Sequence, residues 1–115
     1  MALLALAPAC SPQSPPRLDA RVSCVPETHR LRQLCSVTLT DRRTGGAVEG
    51  ATVTLHADMP SMPLAHGVRP AAARSGATAG TYYGTLELEM AGRWVIAVRI
   101  AGPVSDQLTH SIDVD

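Results

Sequence analysis

Residues 92–100 read Gly92-Arg-Trp-Val-Ile-Ala-Val-Arg-Ile100, and the spacing of their apolar side chains indicates the fold class. Its apolar side chains recur at every second position, which is the period of a β-strand with one buried face. The face expected to be buried carries Trp94, Ile96, Val98 and Ile100. The stretch therefore predicts a core strand, in which Trp94 fills the space between two sheets.

The same alternation recurs on both sides of this strand. Apolar faces occur within residues 20–24, 35–39, 51–55, 82–90 and 108–114. Glycine-containing turn signals separate several of these runs, and no segment shows a helical period. Short strands at near-regular spacing predict an all-β fold, an immunoglobulin-like antiparallel β-sandwich of about seven strands. Tyr82 is expected to pack within it, with its hydroxyl reaching the surface.

Length and charge narrow the class of protein further. A chain of 115 residues has room for one domain. It contains no Phe and one Trp, so the core must be mainly aliphatic and a base-stacking surface is not expected. Ten basic residues balance ten acidic ones, which removes the electrostatic attraction that drives binding to nucleic acid or to anionic membranes.

The N-terminal stretch Met1-Ala-Leu-Leu-Ala-Leu-Ala-Pro-Ala-Cys10 resembles the end of a secretory signal with a lipobox. We therefore divide the chain into a signal or lipobox remnant with a Pro/Ser spacer at 1–17 and a folded domain at 18–115. Cys10 is the candidate lipidation site, and the expected location is the periplasm or the outer face of the membrane. The alternative is a frayed apolar N-terminus in a cytosolic protein.

Two further cysteines, Cys24 and Cys35, fall on the apolar faces of neighbouring predicted strands. This placement is consistent with a disulfide on the core side, which would suit an oxidising compartment. The alternative is a pair of free thiols that act as small apolar core residues. Their separation matches no common zinc spacing.

One segment combines residue types that could bind a metal. Residues 56–66 contain His56, Met59, Met62 and His66, and both methionines precede a proline. Thioether and imidazole ligands suit copper, above all Cu(I), and Asp58 could fix the tautomer of an imidazole. The four His and Met residues are therefore a candidate copper site. The alternative is an apolar loop that caps one end of the sandwich.

Short motifs in a fixed order give the chain a family resemblance. They are Asp58-Met-Pro-Ser-Met62, Gly80-Thr-Tyr82, Gly84-Thr85 and Met90-Ala-Gly-Arg-Trp94. This series, over roughly residues 35–102, resembles the YtkA-like domains and the related FixH-like domains of bacterial exported and membrane-attached proteins. The resemblance implies an immunoglobulin-like sandwich outside the cytoplasm, with links to copper handling or to the assembly of copper-containing oxidases. Met59 and Met62 match the Met-Pro-x-Met motif of the family, whereas His56 and His66 are added from their chemistry.

Two classes of function remain open at this point. The first is a copper-handling protein, whose partner would be a copper-dependent oxidase or a copper-trafficking protein and whose only membrane link would be an N-terminal lipid. The second is a structural or protein-interaction module that uses the loop and the sheet face around Val95 and Ala97 and binds no metal. An enzyme is not expected, because no nucleophile lies beside a recognisable base and no phosphate-binding loop is present.

Overall fold

The computed structural model describes residues 17–61 and 68–115, which form seven β-strands and no helix. In chain order the strands are β1 (Leu18–Pro26), β2 (Arg32–Asp41), β3 (Thr52–Asp58), β4 (Ala71–Ser75), β5 (Thr81–Glu87), β6 (Gly92–Ala101) and β7 (Asp106–Val114). Every strand pairing is antiparallel. The predicted all-β sandwich of about seven strands is confirmed.

The strands form one nearly closed sheet in the order β1-β2-β5-β4-β3-β6-β7. This sheet folds into two layers because β4 changes its partner along its length. Residues 71–73 pair with β3, whereas Arg74 and Ser75 pair with β5. The apolar pattern did not predict β4, since its first three residues are alanines and it contains no large apolar side chain.

The core lies between the two layers and is built from the alternating faces that the sequence predicts. Its completely buried large side chains are Trp94, Leu18, Leu39, Leu55, Leu86, Ile96, Val37, Val53 and Val98. The indole nitrogen of Trp94 has a hydrogen-bond partner in the core, because Nε1 donates a bond of 3.0 Å to the backbone oxygen of Met90. The expected role of Trp94 as a core plug is confirmed.

The hydroxyl of Tyr82 is buried, although the sequence predicts that it reaches the surface. The residue is only 2% exposed. Its Oη donates a 2.7 Å hydrogen bond to the backbone oxygen of Val48 and accepts a 3.1 Å bond from the backbone nitrogen of Ala51. The prediction that this hydroxyl reaches the surface was wrong, because the connection before β3 supplies both partners inside the fold.

Cys24 and Cys35 form a disulfide that links β1 to β2. The two residues are direct partners in the register of this antiparallel pair. Cys35 is fully buried and Cys24 packs against the core, as their predicted faces require. Both sulfurs are thus committed to a covalent bond.

The first and last strands are held together by side chains rather than by a backbone ladder. Oδ2 of Asp106 accepts hydrogen bonds from the backbone nitrogens of Arg17 (2.8 Å) and Leu18 (3.1 Å). At the opposite end of the two strands, Nη1 of Arg30 donates to the backbone oxygen of Asp115 at 3.2 Å. These contacts join the two layers at both ends of the open side of the sheet.

Candidate functional site

The two candidate copper ligands that the structure describes, His56 and Met59, lie on opposite sides of one layer. In β3, Val53 and Leu55 point into the core and are buried, which directs His56 to the outer face. Met59 follows the end of the strand and turns inward, where it is 4% exposed and part of the core cluster. The structure therefore does not bring the imidazole and this sulfur together.

Met59 occupies a space that the absence of a side chain at Gly92 creates. A Cβ atom placed on Gly92 would lie 2.7 Å from Cε of Met59, which is closer than real carbon atoms approach. Gly92 also has a φ of 136°, a conformation that residues with a side chain rarely adopt. The Met-Pro-x-Met and Met-x-Gly-x-Trp motifs thus meet in the fold, and their contact is a packing contact.

Two other motif glycines also allow close packing. A Cβ atom on Gly80, whose φ is 80°, would lie 2.9 Å from the backbone oxygen of Leu39. A Cβ atom on Gly84 would lie 3.0 Å from Cδ1 of Leu55 in the facing layer. The motif residues that the structure describes therefore form the internal framework of the sandwich. The strand pattern could not reveal this role, since it depends on contacts between distant parts of the chain.

His56 is half-buried on the outer face and sits near a positive charge. Burial of the imidazole, and secondly the charge of Arg99, lowers the pKa of His56 from its ordinary value of 6.5. The neutral imidazole, which is the form that can bind a metal, is therefore favoured at pH 7. Oδ1 of Asp58 accepts a 2.9 Å hydrogen bond from the backbone nitrogen of Met59, and the predicted contact of this carboxylate with an imidazole stays a prediction.

The other predicted site residues, Met62, His66 and the lipidation candidate Cys10, lie outside the described residues. Within residues 17–61 and 68–115, no group of three or more His, Cys, Asp or Glu side chains is arranged to hold a metal ion. In the same part of the chain, no helix is long and apolar enough to cross a membrane. The copper site thus remains a prediction from residue chemistry.

Within the part of the chain that the structure describes, no strand packs on the outer face of the layer that carries His56. Its centre consists of small uncharged side chains and the imidazole, contributed in register by three strands: Thr54 and His56 from β3, Val95 and Ala97 from β6, and Thr109 and Ser111 from β7. We call these six residues the outer patch. Charged side chains surround it, namely Asp58, Arg93, Arg99 and Asp113.

A surface groove of about 490 Å³ lies at the other layer. Its lining combines both signs of charge and consists of Arg32, Val68, Arg69, Pro70, Ala71, Thr85, Glu87 and Glu89. Arg32 also forms an ion pair of 3.4 Å with Glu27. None of the lining residues is buried, so the groove has the character of a solvated surface rather than of an enclosed binding site.

The architecture and the packed motif residues define a small seven-stranded β-sandwich domain with a disulfide between its first two strands. The family model described as YtkA-like matches residues 19–99. The chain therefore belongs to the YtkA-like family, as its motifs predict. No match is found among curated proteins or among solved structures.

Proposed function

We propose that this YtkA-like domain is a non-catalytic binding module of an exported protein and that the outer patch contacts its protein partner. The observation that carries the proposal is the arrangement of the patch, in which uncharged residues at the centre are bordered by charged ones. Protein interfaces commonly have a core depleted of charge and a polar rim. The disulfide supports export, because such bonds persist in oxidising compartments.

The burial of Met59 also favours a binding module over the full copper site. Met59 is only 4% exposed and its terminal methyl packs on Gly92, which suits a core side chain better than a ligand that exchanges an ion. Copper ligation by Met59 would require the end of β3 to leave the core. Packing thus explains the methionine of the motif, and the contact surface that we propose is the outer patch.

The proposal can be tested by photo-cross-linking in cells that produce the full chain. A cross-linking amino acid at Ala97, in the outer patch, is compared with one at Thr38, a half-buried outer-face position of β2. We expect a discrete adduct at Ala97 that is absent at Thr38 and is lost when Val95→Arg is added. Equal labelling at the two positions would contradict the proposed surface.

Copper handling is the second candidate, and one observation favours it. The imidazole of His56 is held neutral two residues before the Asp58-Met-Pro-Ser-Met62 segment, in the form that binds soft metals. A site of this kind would use His56 with Met62 and His66 and would leave Met59 in the core. The positive charge of Arg99 opposes it.

The copper candidate is tested by anaerobic titration of the full chain with Cu(I) against a chromophoric chelator. A stoichiometric site that is lost in Met62→Leu and in His56→Gln but kept in Met59→Leu would establish a copper centre outside the core. For a module that works without metal, we expect no stoichiometric binding in the wild type or in any of these variants.

A further inference from the structure

β7 is the last strand of its layer, and within the described residues its outer edge forms no backbone ladder. Exposed edges of this kind pair readily with another strand unless charges, prolines or bulges prevent it. The opposite edge strand, β1, carries Asp19 and Arg21 on its outer face and ends at Pro26. By contrast, residues 107–112 of β7 contain no side chain with a permanent charge. The edge of β7 is therefore the less protected of the two.

The sequence of β7 is nearly symmetric about its centre. It reads Asp106-Gln-Leu-Thr-His-Ser-Ile-Asp-Val114, with His110 in the middle. On either side of His110 stand a small hydroxyl residue (Thr109, Ser111) and, next to it, an apolar residue (Leu108, Ile112). Such a pattern is self-complementary under the two-fold symmetry of an antiparallel strand pair.

We propose that two copies of this chain associate through the outer edges of their β7 strands, in antiparallel register about a two-fold axis at His110. In this register Leu108 lies opposite Ile112 of the second copy, and Thr109 lies opposite Ser111. Gln107 lies opposite Asp113, whose carboxylate can accept a hydrogen bond from the amide. Directly opposed side chains of these kinds stabilise antiparallel pairs.

The two copies of His110 face each other at the axis, which makes the association sensitive to pH. Histidine gains a charge between about pH 8 and about pH 5, and like charges directly opposite each other destabilise a strand pair. The residues that face the same side from β6 are apolar (Trp94, Ile96 and Val98), and so are those from β1 (Ala20, Val22 and Cys24). The nearest charged side chain on this face of β7, Asp106, is already hydrogen-bonded to Arg17 and Leu18. No described group on these faces therefore compensates a charged pair of imidazoles.

Association would join the layer that contains β3, β6 and β7 to the same layer of the second copy. The outer patch of each copy would then adjoin that of the other, because Thr109 and Ser111 belong both to the patch and to the pairing strand. Dimerisation is tested on the isolated protein, whereas partner binding is tested in cells. The failure of one proposal can therefore be told apart from the failure of the other.

The test is sedimentation analysis of the full chain carrying Cys10→Ser, which leaves no free thiol beside the Cys24–Cys35 disulfide. We expect a dimer at about pH 8 whose dissociation constant rises at least about fivefold at about pH 5. His110→Arg should be monomeric at both pH values, and His110→Gln should dimerise without a pH response. A wild type that stays monomeric at pH 8 up to about 1 mM, or a dimer unaffected by His110→Arg, overturns the proposal.

The register is tested independently by single cysteines in the same background. His110→Cys places two thiols at the two-fold axis and should form a cross-linked dimer on oxidation. Thr109→Cys should not form such a dimer. In this register, position 109 of each copy lies opposite Ser111 of the other copy and not opposite its own equivalent. Cross-linking of both variants to the same extent, or of Thr109→Cys alone, overturns the register.

Discussion

At the scale of single residues, the contact between Met59 and Gly92 changes the meaning of the family motif. A methionine beside two prolines in an exported protein resembles a soft metal ligand. In the fold, the same side chain is enclosed by the core and ends over a glycine that has no room for a Cβ atom. The methionine and the glycine are therefore best understood as a pair.

We predict that this pair is energetically coupled. Met59→Ala should lower the free energy of unfolding by about 2–5 kcal/mol, whereas Met59→Leu should cost less than about 1.5 kcal/mol. Gly92→Ala should cost about 1–3 kcal/mol, from the clash with Met59 and from the strain at positive φ. All three values can be measured by urea denaturation.

The double variant Met59→Ala, Gly92→Ala provides the control. Because removal of the Met59 methyl makes room for the new Cβ atom, its loss should be smaller than the sum of the single losses. Simple additivity of the two losses would show that Met59 does not pack on Gly92.

At the scale of elements, the joining of two layers depends on a strand that local pattern does not reveal. β4 is short and alanine-rich, yet it pairs with β3 at its start and with β5 at its end. The hairpin of β1 and β2, by contrast, is defined by clear alternation and closed by a disulfide. Backbone pairing stabilises both, but only the hairpin is also covalently constrained.

We predict that the disulfide contributes substantially to stability. Replacing Cys24 and Cys35 with alanine should lower the free energy of unfolding by about 3 kcal/mol, since the cross-link limits the freedom of the unfolded chain. Urea denaturation of the variant and of the chemically reduced wild type should agree.

The neighbouring pair Ser23 and Ser36 is the matched control. These residues are partners in the same strand pair, and Oγ of Ser36 donates a long hydrogen bond of 3.4 Å to the backbone oxygen of Ser23 on the outer face. Replacing both with alanine should change the stability by less than about 0.5 kcal/mol. An equal effect of the two double replacements would argue against a specific role of the cross-link.

At the scale of the whole molecule, the open side of the sheet is held by Asp106. Its carboxylate joins the start of β7 to the start of β1, at a sequence separation of 88 residues or more. We predict that Asp106→Ala lowers the free energy of unfolding by about 1–3 kcal/mol, because two backbone donors lose a charged acceptor. Hydrogen exchange at the Leu18 amide should become faster.

Asp113, on the same strand, is the control for this prediction. Its ion pair with Arg93 is 3.1 Å long, but both side chains are about two-thirds exposed (67% and 68%). Asp113→Ala should therefore cost at most about 1 kcal/mol and leave exchange at Leu18 unchanged. If Asp113→Ala lowered the free energy of unfolding as much as Asp106→Ala, the loss of one negative charge would explain both results, and the hydrogen bonds of Asp106 would not be needed.

The alternation of apolar residues was enough to predict six of the seven strands, all except β4, together with their buried faces, the position of Trp94 and the pairing face of the two cysteines. These properties follow from a period of two residues, which is local and can be read from neighbouring positions. The family could be recognised because the order of its short motifs is also a property of the linear chain.

The positions of the predicted site residues relative to one another depend on how the strands pack. The tertiary structure placed His56 and Met59 on opposite sides of a layer, buried the hydroxyl of Tyr82 and brought Asp106 to the start of β1. Each of these outcomes depends on contacts between residues that are far apart in the chain or on the direction of the chain after a strand ends. Local alternation contains no information about either, because it describes one strand at a time.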